Sequence, residues 1–126
     1  MPLLLLLSVL LFTLAMVLYT LGVWSERRAH RLKPWHAKVF FGGVIVDTAA
    51  TVLTYVYVGA IVITPHALMG FVSLSLMALH CVWAAWVLRK GNEHALTHFH
   101  KFSIFVWSVW MVSYLSGFAL GMMKLA

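Results

Sequence analysis

Apolar positions run almost unbroken in four stretches of the chain, separated by short polar breaks. The first extends from about Leu3 to Trp24 and the second from Trp35 to about Val62. The third covers Pro65 to Leu88 and the fourth Phe99 to Met123. A helix rises about 1.5 Å per residue and a hydrocarbon core is roughly 30 Å thick, so about 20 residues suffice to cross it. Each stretch is long enough. The alternation of a membrane β-strand is absent, which leaves helices as the way to satisfy backbone polar groups in lipid. The pattern predicts an all-α fold, a four-transmembrane-helix bundle forming one integral membrane domain. The first stretch has no basic segment before it and exceeds the roughly 7–15 residues of a signal-peptide core, so it is expected to be a retained span.

Composition narrows this further. Of 126 residues, 63% are hydrophobic and 10% charged, so four spans leave only short loops and no room for a separate soluble domain. The single cysteine, Cys81, excludes an intrachain disulfide and a cysteine-based zinc site. Of nine Lys and Arg residues, Arg27, Arg28, Arg31, Lys33 and Lys38 flank the first connection and Arg89, Lys90 and Lys101 the third. The turn around Gly59–Thr64 carries none. By the positive-inside rule both basic loops are cytoplasmic and both termini lie on the non-cytoplasmic side. The net charge of +6 is thereby explained by contact with anionic lipid headgroups, and no nucleic-acid partner is implied.

Seven histidines in so apolar a chain is the anomaly. Ionisable residues within spans are rare and face the bundle interior or a functional cavity. His30, His94 and His98 sit in or beside the basic loops, where solvent or headgroups account for them. His36 and His100 open spans two and four. His66 opens span three at the outer surface, and His80 lies well inside it. His66 and His80 are fourteen residues apart, hence within about 40° on one helix face and about 21 Å apart along the axis. Gly70, Ser73 and Met77 lie between them and Ala84 follows. Small residues there would admit a flat macrocycle, although they are equally typical of membrane helix packing.

Span four carries a comparable stripe of His100, Ser103, Trp107, Trp110, Tyr114, Gly117 and Gly121. Span two carries His36, Phe40, Gly43, Asp47, Ala50 and Thr54, with Asp47 read as the only carboxylate within a span. Span one, with Thr13, Tyr19 and Gly22, is expected to face lipid along much of its length. Gly91 reads as the stop of the third helix and Asn92 as the cap of the fourth. If the hairpin turns there, residues whose numbers sum to about 182 share a depth, which places His80 within about 3 Å in height of His100. Two imidazoles at one depth on adjacent helices can hold one iron, an arrangement that recurs for haem in helical bundles. His80 and His100 are therefore the expected axial ligands of haem b. Trp107, Gly70 and Ser73 would line the ring, Arg31 belongs to a basic rim suited to propionates, and His36 is an alternative ligand or propionate contact. His66 is the candidate for a second haem or quinone site toward the opposite face, or else an interfacial cap of span three. A faint repeat aligns His30–Phe41 with His94–Phe105 at an offset of 64 residues, sharing His, Leu, His and Phe positions.

Several segments together resemble a known family: Tyr19 to Glu26, Trp35-His36, Asp47-Thr48, Leu76 to His80 with Trp83-Ala84, Phe99 to Ile104 with Val106-Trp107, and Tyr114 to Gly117. In order and spacing these are similar to the HsmA-type family of small haem-binding bacterial membrane proteins. The resemblance implies a haem protein of the bacterial cytoplasmic membrane, acting in haem sensing or sequestration and in defence against haem or oxidative stress. Two rivals stand beside this expectation. One is an electron-transfer cytochrome exchanging electrons with quinone or a redox partner subunit, or acting as a homodimer. The other is an accessory membrane subunit whose histidines pack or handle protons. No nucleophile–base pair, phosphate loop or carboxylate pair for hydrolysis is present.

Overall fold

The computed structural model describes residues 3–59 and 65–125. Four helices follow one another: α1 (Leu3–Ala29), α2 (Pro34–Val58), α3 (Pro65–Lys90) and α4 (Glu93–Leu125). All four are long and apolar enough to cross a membrane. Beyond Gly59, the expected turn through Thr64 and the expected end of span two at Val62 lie outside the described residues.

Helix boundaries follow backbone signals more than hydropathy. α1 continues past Trp24 to Ala29, because Ser25 to Arg28 offer no obstacle to helix, and it stops where His30 enters the left-handed region at φ 56°. Proline at the start of α2 suits a first turn whose N–H groups lack intrahelical partners. Gly59, at φ 80°, closes α2 with its N–H donated to the Tyr55 carbonyl. The α3–α4 connection is as expected. Gly91, at φ 70°, donates its N–H to the Val87 carbonyl, and the Asn92 Oδ1 accepts from the Ala95 N–H at 3.2 Å. α4 then begins at Glu93, six residues before the apolar stretch does.

The helices form a ring in which each packs on two neighbours: α1 on α2, α2 on α3, α3 on α4 and α4 on α1. Side-chain pairs fix their directions. On α1 and α4, Thr13 meets Tyr114, Thr20 meets Trp107 and Glu26 meets Ser103, so the two run antiparallel. His66–Ser116 and His80–Ser103 set the same relation for α3 and α4. Both termini therefore point to one end of the bundle and the basic connections to the other. Across those connections the Leu32 N–H donates to the Leu96 carbonyl at 2.9 Å, and Arg31 forms a two-pronged ion pair with Glu93. Leu32 and Leu96 are equivalent under the 64-residue offset, and their meeting is what a two-fold relation between two helical hairpins would give.

Lipid tails are as apolar as the core, so packing and interhelical hydrogen bonds hold such a bundle together. Two glycines allow the close fit of α1 on α2. A Cβ added at Gly22 would lie 2.6 Å from the Phe40 ring, and one added at Gly43 would collide with the Tyr19 ring. The core has two parts. Val23, Leu32, Phe40, Ala84, Val87, Leu96 and Phe99 fill the basic end, and Ala15, Tyr19, Met77, Val106 and Trp110 fill the middle.

Candidate functional site

The inward face of α3 is the one anticipated. Ser73, Met77, His80, Ala84 and Val87 are buried, with His66 and Gly70 half-buried beyond them. On α2, His36, Phe40, Gly43, Asp47 and Ala50 are buried as expected. On α4 the expected stripe is rotated. Leu96, Phe99, Ser103, Val106, Trp110 and Ser113 point inward, while His100, Trp107, Tyr114 and Gly117 are half-buried on the flank. Both sets advance by three and four residues, so periodicity alone could not separate them. The burial of Gly121 lies outside the described residues.

His80 is fully buried, and each ring nitrogen has a distinct position. Its Nε2 lies 2.7 Å from the Ser103 Oγ, and that hydroxyl donates to the Glu26 Oε1 at 2.7 Å. With its one hydrogen given to Glu26, Ser103 must accept from the His80 Nε2–H, which leaves the Nδ1 lone pair unpartnered. Phe40 packs edge-on at 4.5 Å and Phe99 stacks at 5.0 Å between ring centroids, with Phe102 at 5.8 Å. All four helices thus contribute to the surroundings of one imidazole.

Glu26 is the residue the sequence reading missed. It is fully buried in α1, its Oε2 has no partner, and Asp47 is therefore not the only carboxylate within a spanning helix. Its position two residues after Trp24 and directly before Arg27 reads as the start of a basic loop. The available signal was period: Tyr19, Gly22 and Glu26 lie three and four apart on one face. α1 does turn most of its length outward, as expected, with Leu3, Leu10, Val17 and Leu21 exposed, yet it also supplies Tyr19, Val23 and Glu26 to the interior. Asp47 accepts from the Tyr19 hydroxyl at 3.0 Å and the Trp110 Nε1–H at 2.9 Å, tying α1, α2 and α4 together at mid-bundle.

The other expected site residues occupy several places. His100 has His30 as its ring neighbour, at 6.4 Å, and its Nδ1 is buried without a partner. His36 accepts the Lys33 N–H at Nδ1, 3.0 Å away, standing where a capping box has Glu or Gln. Its proton is then on Nε2, which is buried and unpartnered. His66 meets Ser116 at 2.9 Å, the partner the hairpin register anticipates, and its ring lies against Gly117. Ser116 gives its hydrogen to the Ser113 carbonyl, so the His66 Nδ1–H is the donor of that pair. The Ser73 hydroxyl bonds to the Gly70 carbonyl, and a Cβ at Gly70 would meet nothing. Trp107 donates to the Thr20 Oγ1 at 3.0 Å and packs edge-on against Trp24. Arg31 is committed to Glu93, whose hydrogen bonds push the guanidinium pKa upward.

The donor set suits haem iron: unpartnered nitrogens on His80 and His100, on adjacent helices at the basic end, with an unpartnered N–H on His36. Phe99 and Phe102 pack against the His80 ring, so a macrocycle reaches it only if these rings turn away. Two clefts open on the outside of the bundle. One is lined by Ala37, Phe41, Cys81 and Ala85, the other by Leu79, Val82, Trp83, Trp86 and Phe102, and neither includes His80 or His100. Among the described residues, no three His, Cys, Asp or Glu side chains converge as a metal site.

The fold defines the class, a multi-pass membrane protein built as a four-helix bundle whose apolar core holds several buried polar side chains. Comparison of the chain with family models, with curated proteins and with solved structures finds no match.

Proposed function

We propose that the protein is a b-type haem protein of the bacterial cytoplasmic membrane, with His80 and His100 as axial ligands between α3 and α4. The observation that carries this reading is the set of unpartnered imidazole nitrogens on His80, His100 and His36 at one end of the bundle. Buried polar atoms are nearly always hydrogen-bonded, so several orphans together mark a place where a ligand belongs. The haem would supply one-electron chemistry. The chain would hold the iron through imidazole, exclude water on the His80 side with Phe40, and offer the His36 Nε2–H to a propionate. Haem sequestration or protection against oxidative stress is the role that fits a ligand such as His80, enclosed by all four helices. Exchange of electrons with quinone or a partner subunit is the alternative, and quinol-driven reduction of the bound haem would favour it.

One observation favours a different reading. The buried chain from His80 through Ser103 to Glu26 is an arrangement that can move a proton, as expected of an accessory subunit without haem. Ser103→Ala separates the two. A haem ligand at His80 survives loss of its hydroxyl neighbour, so the optical spectrum of Ser103→Ala keeps its haem bands while His80→Ala and His100→Ala lose or convert the low-spin signal. A wild-type spectrum in both histidine variants would remove His80 and His100 as ligands.

A further inference from the structure

At the start of α4, outside the bundle core, His94 and His98 lie one turn apart and both are exposed. Their rings stack with centroids 4.1 Å apart and planes inclined by 26°. The His98 Nδ1 is 2.8 Å from the His94 carbonyl, which can only accept, so this nitrogen carries the proton and Nε2 is left as a lone pair. A metal-binding imidazole characteristically donates its other N–H to a backbone carbonyl or carboxylate, which fixes the tautomer and raises the basicity of the ligating nitrogen. His98 is in that state without a metal. The His94 side chain makes no hydrogen bond among the described residues, so either of its ring nitrogens can turn toward the same ion.

We infer that His94 and His98 form a two-imidazole chelate for a divalent transition metal at the basic end of the bundle. Histidines four apart on one helical face are a recurrent zinc-binding pair, and imidazole suits zinc, nickel and copper(II) over magnesium or calcium. The nearest carboxylate in sequence, Glu93, is held by Arg31 and is not a third ligand. Water completes the coordination, which makes the site exchangeable rather than structural. It is separate from the haem reading: it uses neither His80 nor His100, and both histidines can be replaced without touching the core. A bound ion would clip the first two turns of α4, the segment whose Leu96 carbonyl receives the Leu32 N–H.

The test is a copper(II) titration of the untagged, full-length protein in lipid nanodiscs, followed by electron paramagnetic resonance. The expected result is one copper(II) per chain with two-nitrogen coupling, and affinity lowered at least tenfold in His94→Ala and in His98→Ala. Zinc should compete the copper signal away. Unchanged copper affinity in the double variant would overturn the assignment. So would a loss of binding that follows His30→Ala or His100→Ala instead. The low-field feature of low-spin haem is well clear of the copper(II) signal, so the two readings fail independently.

Discussion

Gly22 and Gly43 are the residues on which the closeness of α1 and α2 depends. Each would place a new methyl group within 3 Å of a buried ring, that of Phe40 or Tyr19, neither of which has room to withdraw. Over-packing of this kind costs about 1–3 kcal/mol. Gly42 and Gly70 face open space, and alanine there gains roughly 0.5–1 kcal/mol of helix stability. Thermal unfolding in detergent should therefore lower the Tm for Gly22→Ala and Gly43→Ala while leaving or raising it for Gly42→Ala and Gly70→Ala. Equal effects at all four would mean the helices do not meet as described. Asp47 gives a sharper contrast. Asp47→Leu strands the Tyr19 hydroxyl and the Trp110 N–H, at about 1–3 kcal/mol for each buried donor left unpaired, whereas Asp47→Asn keeps an acceptor. The same unfolding measurement should rank wild type, Asn and Leu in that order of stability.

The helices end on residues that set their register. His30 closes α1 in the left-handed region that glycine adopts freely and other residues at a cost of about 1–2 kcal/mol. His30→Gly should stabilise the protein, and a lower Tm would show that the His30 ring against His100 outweighs the backbone strain. Gly91→Ala should have the opposite sign, because its φ of 70° is required where α3 turns into α4. The sequence was most legible at this turn. Gly91 and Asn92 announce it, and the register they imply puts His66 opposite Ser116 and His80 one residue from its true partner, Ser103. The inward faces of α2 and α3 were legible for the same reason, since small and polar residues recur there against a leucine-rich background. Rotation of α4 was not, because aromatic residues lie all round it and two stripes of equal period compete. Glu26 was hidden by its position beside arginines, where hydropathy ends but the helix does not.

At the scale of the molecule, the hydrogen bonds of Asp47, His80, Ser103 and Glu26 lie inside a ring of four helices that exposes many large apolar side chains. The antiparallel order puts both basic connections at one end and both termini at the other, and from the charge bias we propose that the basic end is the cytoplasmic one. Terminal fusions to a reporter active only outside the cytoplasm should be active at both ends of the chain; activity of cytoplasm-only reporters would reverse the assignment. The haem reading rests on His80 and His100 being the ligating pair at that basic end. Its most direct test is the haem content and low-temperature paramagnetic resonance spectrum of the purified wild-type protein. The account predicts haem b bound to the chain with the low-spin signal of iron between two imidazoles. Protein that is folded and helical yet takes up no haem when it is supplied would contradict it.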